Sequence, residues 1–217
     1  MQVLKSFPLH PTLYADDVAQ ILTPSIERHG QQEWRLIVQT NELHGHLGIY
    51  STIGAKMGLY ARELLPCHHL HITSYAGSCP PMSCMNDGLQ VSTSSTLGHG
   101  LIHAIDDNPR PEARFQADGH TITLRLKPSC AERIASDIAQ GKAKWGTDSP
   151  ATGSMCGRWH CNTGWRWTDG RFSMLFRTKR YATEAFLRTM QNVARALQLD
   201  TTTAAIKHCC SEVSSFI

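Results

Sequence analysis

The sequence lacks a long hydrophobic run. No stretch approaches the roughly 18 apolar residues that a membrane span needs. Pro8 and Pro11 also interrupt the N-terminal segment, where a signal peptide requires an unbroken apolar region. These absences predict a soluble, cytoplasmic protein with no membrane partner.

The sequence also lacks a strong excess of charge of one sign. Charged residues make up 18% of the 217-residue chain, the formal net charge is +3, and the 21 Lys and Arg residues are dispersed apart from Arg177, Lys179 and Arg180. Domains that bind nucleic acid concentrate basic side chains on one face. We therefore expect no nucleic-acid partner.

Cysteine and histidine are abundant, with eight Cys and twelve His residues. In a cytoplasmic chain such cysteines indicate metal ligands, nucleophiles or small buried residues before they indicate disulfides. The two residue types recur at residues 67–84, 156–161 and 208–210, a distribution that fits up to two sites. Whether Cys156, His160, Cys161, His208, Cys209 and Cys210 form a second site is open.

His44 and His46 are the centre of the strongest motif, His-Gly-His. The central Gly45 can adopt a positive φ, which lets the turn direct both imidazoles to one point, and two nitrogens are half of a tetrahedral metal shell. The alternative is that His44 caps a helix and His46 packs. Apolar residues at helical spacing follow as far as Leu64, with small residues between them where another backbone can approach closely. This pattern predicts a helix with the histidines at its N-terminus.

Hydrophobic periodicity predicts the other elements. Residues 12–28 fit two short helices separated at Pro24, and residues 34–40 fit either a strand or a helix end. The alternating runs at residues 70–75, 101–105, 112–117 and 121–126 predict strands, with a hairpin turn at Asp118-Gly119 in an antiparallel meander. A short helix is expected over residues 130–140, ended by Gly141.

The loop between the first strand and the next helix contains Cys79 and Cys84. A helix is predicted over residues 86–96, and its N-terminal dipole is expected to lower the pKa of Cys84 and make the thiolate a ready ligand or nucleophile. Cys79-Pro80 is a dipeptide that some haem-responsive loops use, which is a weak indication of haem.

Residues 141–170 differ from the rest, with four tryptophans and six glycines and little periodicity. They predict a long loop or lid. A strand at residues 172–176 and a helix at 181–197 are expected to follow. The chain is thus divided into a metal-binding core at residues 1–140 and a Trp/Gly/Cys-rich appendage at residues 141–217.

These motifs together resemble the FmdE family, which takes its name from formylmethanofuran dehydrogenase. The resemblance is clearest over residues 35–135 and rests on His44-Gly45-His46-Leu47, on the run from Ser83 to Val91, and on Thr96 to Gly100. It implies an α+β fold with an antiparallel sheet and a long central helix, and a homodimer. It also implies a metal-binding cleft in which His44, His46, Cys84, Asp87 and Gln90 match the family's site motifs.

The chain departs from the family's pattern at two thiols. Gly48 and Ile49 replace a Cys-Pro pair after His-Gly-His, and Ser94, Ser95 and Thr96 replace a Thr-Gly-Cys-Thr run. The paired Cys-x-x-Cys zinc finger that some members carry is also missing. Redox or nucleophilic work by those thiols is therefore excluded, which favours plain metal or cofactor chemistry.

Two functions follow as alternatives. The first is a metal-dependent enzyme acting on a small molecule, with a transition metal, zinc first among them, on His44, His46 and Cys84. In it Asp87 is the orienting group or general base and His99 the proton donor. The second is a carrier, sensor or accessory protein that binds a metal or a metallocofactor such as haem without turnover, with Cys79 and Gln90 as cofactor contacts.

Overall fold

The computed structural model describes residues 4, 6–65, 69–146, 149–162 and 176–181. In chain order, the described helices are α1 (Asp16–His29), α2 (Gln31–His44), α3 (Ile49–Leu64), α4 (Met85–Thr93), α5 (Pro128–Trp145) and α6 (Pro150–Asn162). The described strands are β1 (His71–Ser74), β2 (Ile102–Ala104), β3 (Glu112–Ala117), β4 (His120–Leu126) and β5 (Phe176–Tyr181). The α+β class that the sequence predicts is confirmed. None of the described helices combines the length and the apolar character that crossing a membrane requires.

The sheet is mixed, so the prediction of an antiparallel sheet is wrong in one pairing. The strand order is β2-β1-β3-β4-β5; β1 and β2 run parallel, and the other neighbours are antiparallel. A parallel pair needs a crossover connection, and α4 lies within the segment that links β1 to β2. Alternating hydrophobicity identifies a strand but not its direction. The turn at Asp118-Gly119 joins β3 to β4 with both residues at positive φ, as the hairpin prediction requires.

Helix α3 is central to the packing. Ile49, Ile53 and Met57 are buried against the sheet in the larger hydrophobic cluster, whereas Ala55 belongs to a second cluster with residues of α1 and α2. The small residues of α3 allow close approach of α4, because a Cβ on Gly54 would overlap the carbonyl oxygen of Met85. The predicted close contact of another backbone with this helix is therefore present.

Two local features of the first helices depend on packing. Residues 34–40, for which the sequence left a strand or a helix end open, lie within α2, where Trp34 and Ile37 are buried one helical turn apart. Pro24 lies inside the single helix α1 and does not split it, since Ser25 beyond it is buried and Ile26 packs on the second cluster. Packing of an amphipathic face outweighs the local cost of the proline.

The segment after residue 128 also differs from its prediction. Helix α5 continues through Gly141, which is buried at the contact with α6, where an added Cβ would lie 2.7 Å from Thr152 Cγ2. Gly141 therefore allows two helices to approach and does not end one. Residues 150–162, predicted as loop or lid, form α6. Of the strand predicted at residues 172–176 only Phe176 is described, and it begins β5, Phe176–Tyr181. Of the helix predicted at residues 181–197 only Tyr181 is described, as the last residue of β5.

Candidate functional site

The His-Gly-His motif forms the link between α2 and α3. His44 is the last residue of α2, Gly45 caps that helix at φ 85°, and α3 begins three residues after His46. The positive φ predicted for Gly45 is therefore present. His44 therefore ends α2 and His46 lies in the link, so neither histidine is in the first turn of α3 as the sequence predicted.

Asn41 holds this link in place. Its Oδ1 accepts hydrogen bonds from the backbone N–H of Gly48 at 2.8 Å and from Ser51 Oγ at 2.6 Å. Its Nδ2 donates to the carbonyl of Ile37 at 2.7 Å, and the residue is 7% exposed. One buried amide thus joins the end of α2 to the start of α3 around the two histidines. Asn41 is not predicted from the sequence, where its only signal is an asparagine one turn before the motif.

The two imidazoles are close together and differ in their surroundings. Their ring centroids are 4.5 Å apart. His44 Nδ1 lies 3.2 Å from Asp87 Oδ2, and because an ionised carboxylate only accepts, Nδ1 is the donor of this contact. Burial lowers the pKa of His46, and the charge of His44 lowers it further. The neutral imidazole that binds metals is therefore favoured at His46.

Helix α6 packs directly on His46. A Cβ on Gly153 would lie 2.5 Å from His46 Nε2, so this glycine leaves the space that the ring occupies. Arg158, one turn further along α6, donates to Asp17 of α1 at 2.7 Å. No local pattern in the chain indicates this contact, because it depends on how α6 returns to the core.

Cys84 is brought to the histidines by the crossover from β1 to β2. It is the last residue of a short 3-10 helix, Met82–Cys84, and it caps the N-terminus of α4, with Asp87 in the first turn. Burial raises the pKa of the Cys84 thiol, and the negative charge of Asp87 raises it further. The prediction that the helix terminus lowers this pKa is wrong, because desolvation and a neighbouring carboxylate both disfavour the thiolate.

Two cavities meet at His44 and Cys84. The first, here called the histidine cavity, has a volume of about 510 Å³ and is lined by His46, Tyr50 and Lys142 in addition to those two residues. The second, here called the crossover cavity, has a volume of about 620 Å³ and is also lined by Asp87, Gln90 and His103. Cys84 and His44 thus stand on the wall between two openings.

Gln90 has a structural contact as well as a position on the crossover cavity. Its Oε1 accepts from the backbone N–H of Leu97 at 2.9 Å, and its Nε2 donates to the carbonyl of Asn86 at 3.3 Å. Both ends of the amide are therefore engaged within the protein.

His99 and Cys79 are not brought to the same place. Both are exposed, and neither lines the histidine cavity or the crossover cavity. His103, which no motif of the sequence marks, does line the crossover cavity. Its place follows from the register of the parallel pair, which aligns His103 on β2 with Thr73 on β1.

Within the described residues, no three His, Cys, Asp or Glu side chains form a group already arranged to hold a metal ion. His44, His46 and Cys84 share a cavity, but their donor atoms are not preassembled as a ligand shell. The structure does not describe the side chains of the second possible site, which are Cys156, His160, Cys161, His208, Cys209 and Cys210.

Comparison with known families gives one match. The family model described as FmdE, molybdenum formylmethanofuran dehydrogenase operon, matches residues 43–154, which is just over half of the 217-residue chain. The match begins at Leu43, next to the histidine pair, and ends in α6, so it contains every side chain of both cavities that is named above. A comparison with curated proteins finds no match.

Proposed function

The chain belongs to the FmdE family, and from this premise we propose that it is a metal-dependent enzyme that acts on a small molecule in the histidine cavity. His44, His46 and Cys84 are the proposed ligands, and zinc is the first candidate metal. The observation that carries this proposal is the contact of His44 Nδ1 with Asp87, beside a second imidazole 4.5 Å away. Metal-binding histidines commonly donate their other ring N–H to a carboxylate.

The donor set fits a transition metal. Two imidazole nitrogens and one thiolate form a known zinc shell with a fourth position open to substrate. The three residues line the same cavity of about 510 Å³, which is within the usual range for a small-molecule site. When bound, zinc would supply Lewis-acid polarisation of a substrate oxygen.

The side chains of the chain itself have separate roles in this proposal. Asp87 fixes the tautomer and the direction of His44. Asn41 fixes the turn that carries both histidines, and α6 covers His46. Cys84 would hold a metal as the thiolate, so metal uptake would release its proton, as is general for thiol ligands. His103 is in a position to face a ligand in the crossover cavity.

A second candidate function is metal or metallocofactor binding without turnover, with haem as one such cofactor. The observation that favours it is the lack, among the described side chains, of a preassembled three-residue metal group. A carrier can close its ligands around an incoming ion and release it again. An enzyme retains its metal and keeps one coordination position open to exchange with solvent or substrate. A carrier instead fills every coordination position with protein ligands or binds a coloured cofactor.

The experiment is metal analysis of the full-length protein and of three variants, His44→Ala, His46→Ala and Cys84→Ser. We expect each variant to lose most of the bound metal while its circular dichroism stays native. Losing a hydrogen-bond partner of a ligand already weakens metal binding by a factor of ~10–100, and losing a direct ligand costs more without opening the core.

The control variant is Cys79→Ser, which removes an exposed thiol outside both cavities and is expected to keep the full metal content. Unchanged metal content in all three ligand variants would reject the site. Adding imidazole or thiolate probes to the cobalt-substituted protein then separates the two functions, since only an open coordination position changes the visible spectrum.

A further inference from the structure

Lys142 places a positive charge at the edge of the histidine cavity. It is exposed, lies in the last turn of α5, and lines the cavity together with His44 and His46. Among the described lining residues it is the only Lys or Arg, and no Asp or Glu is present. Asp87, which contacts His44, lines the crossover cavity but not the histidine cavity. The described lining of the histidine cavity therefore carries a net positive charge.

Lys142 has no carboxylate partner within the described part of the chain. The lysine two positions later is different, because the Nζ of Lys144 lies 4.6 Å from the centroid of the Trp145 ring and Lys144 does not line the cavity. An unpaired ammonium group beside a concave site attracts anions and raises their local concentration. Lys142 therefore favours an anionic ligand.

The rest of the lining adds apolar surface and a hydroxyl. Ile49, Ile138 and the Pro80-Pro81 pair are the apolar lining residues. Tyr50 is half-buried in the same lining, and burial raises the pKa of its phenol, which keeps the hydroxyl protonated and able to donate. The cavity thus offers one ammonium group, one hydroxyl and two imidazoles together with apolar surface.

We propose that the histidine cavity binds a small organic carboxylate, with the carboxylate held by Lys142 and Tyr50 and the other polar end of the molecule directed to His44, His46 and Cys84. A single ammonium group balances one carboxylate charge, whereas a phosphate dianion would be left partly uncompensated. The direction of the other end toward His44, His46 and Cys84 rests on the proposed metal site. The binding of the carboxylate by Lys142 does not rest on it, because Lys142 is not a proposed metal ligand.

The test compares two probes of equal length, pentanoate and pentanamide, by titration calorimetry with the metal-free full-length protein. Pentanamide keeps the chain and replaces the carboxylate by a neutral amide. We expect pentanoate to bind more tightly than pentanamide by a factor of ~10, a typical effect of one complementary charge at low salt.

Lys142→Met should abolish that preference, and Lys144→Met, two positions along the same helix, should leave it intact. Equal binding of the two probes to the unsubstituted protein, or a preference that survives Lys142→Met, would overturn the assignment. Tighter binding of butylphosphonate than of pentanoate would overturn the choice of a carboxylate. Failure of the protein to take up zinc, with the pentanoate preference intact in the metal-free form, would reject the proposed function alone.

Discussion

At the scale of single residues, Asn41 shows how a buried polar side chain can position a site from outside it. Asn41 does not line the histidine cavity. Its carboxamide makes hydrogen bonds to Ile37, Gly48 and Ser51, so it uses both its donor and its acceptor. Such a group is costly to remove, because its partners stay buried without replacement bonds. Asn41 is thus a positioning residue for His44 and His46.

We predict that Asn41→Ala lowers the free energy of unfolding by about 2–4 kcal/mol. The buried N–H of Gly48 and hydroxyl of Ser51 lose their acceptor, and each buried group without a partner costs about 1–3 kcal/mol. Urea denaturation followed by circular dichroism measures this loss. The variant should also bind Zn²⁺ more weakly at temperatures where it is fully folded, because the link that carries both histidines is no longer fixed.

Glu42→Ala is the matched control for Asn41→Ala, since Glu42 is the next residue of α2 and is exposed. We expect it to change neither stability nor zinc affinity appreciably. If the folded Asn41→Ala protein bound zinc as tightly as the unsubstituted protein, Asn41 would be a stabilising residue only.

At the scale of secondary-structure elements, the contact between α3 and α4 brings the two halves of the candidate site together. α3 follows the histidine pair, and α4 follows Cys84. A Cβ on Gly88 would overlap the carbonyl oxygen of Ser51 and the backbone nitrogen of Ala55, so the two helix backbones are in direct contact. Larger residues at this contact would move Cys84 and Asp87 away from His44.

We predict that Gly88→Ala destabilises the protein by about 3 kcal/mol or more, the upper end of the usual cost of overpacking, because backbone atoms cannot move aside as a side chain can. The substitution also improves helix propensity by about 1 kcal/mol, which is too little to offset the overlap. The free energy of unfolding in urea is the measurement.

Gly98→Ala is the control for this prediction. Gly98 is exposed, has no positive φ, and a Cβ there would meet only Thr96 Oγ1 at 3.9 Å. Its stability should stay within about 0.5 kcal/mol of the unsubstituted protein, as is usual for surface changes. Equal stability of the Gly88→Ala and Gly98→Ala proteins would show that α3 and α4 are not in direct backbone contact.

At the scale of the whole molecule, stability depends on pH through Glu112. This residue is 5% exposed at the start of β3, where it accepts hydrogen bonds from Arg125, its partner on β4, and from Arg110 at 3.3 Å. Burial by itself would raise the pKa of Glu112, but the two guanidinium groups outweigh burial and hold it below its ordinary value of 4.5. The ionised form is therefore favoured by folding.

We predict that the protein loses stability as the pH falls below about 4.5 and that Glu112→Gln removes part of this loss. A carboxyl whose pKa is lowered by folding stabilises the protein above its unfolded pKa, and that contribution disappears as the pH falls through the folded pKa. Urea denaturation from pH 3 to pH 7 measures both proteins.

The variant should be less stable than the unsubstituted protein near pH 7, and the difference should narrow below the ordinary pKa. Glu132→Gln, an exposed change on α5, serves as the control and should leave the shape of the pH profile unchanged. A constant difference in stability between Glu112→Gln and the unsubstituted protein at every pH would rule out the ion pairs as its cause.

The homodimer and the cytoplasmic location that the sequence predicts stay predictions.

The sequence by itself determined the features that depend on local pattern. The period of apolar residues identified α3, the alternation identified β3 and β4, and Asp118-Gly119 identified the turn between them. Gly45 was identified because only a residue without a side chain adopts its positive φ readily. The motifs around His44, Cys84 and Asp87 identified the family, and the family match confirms it.

Tertiary structure decided what depends on contacts between distant residues. The parallel direction of β2, the continuation of α1 through Pro24 and of α5 through Gly141, and the raised pKa of Cys84 all follow from packing or burial. Lys142 is 96 residues from His46 in the chain, yet both line one cavity. Periodicity reports which face of an element is buried, but not which neighbour covers it, so the composition of the cavity could be read only from the fold.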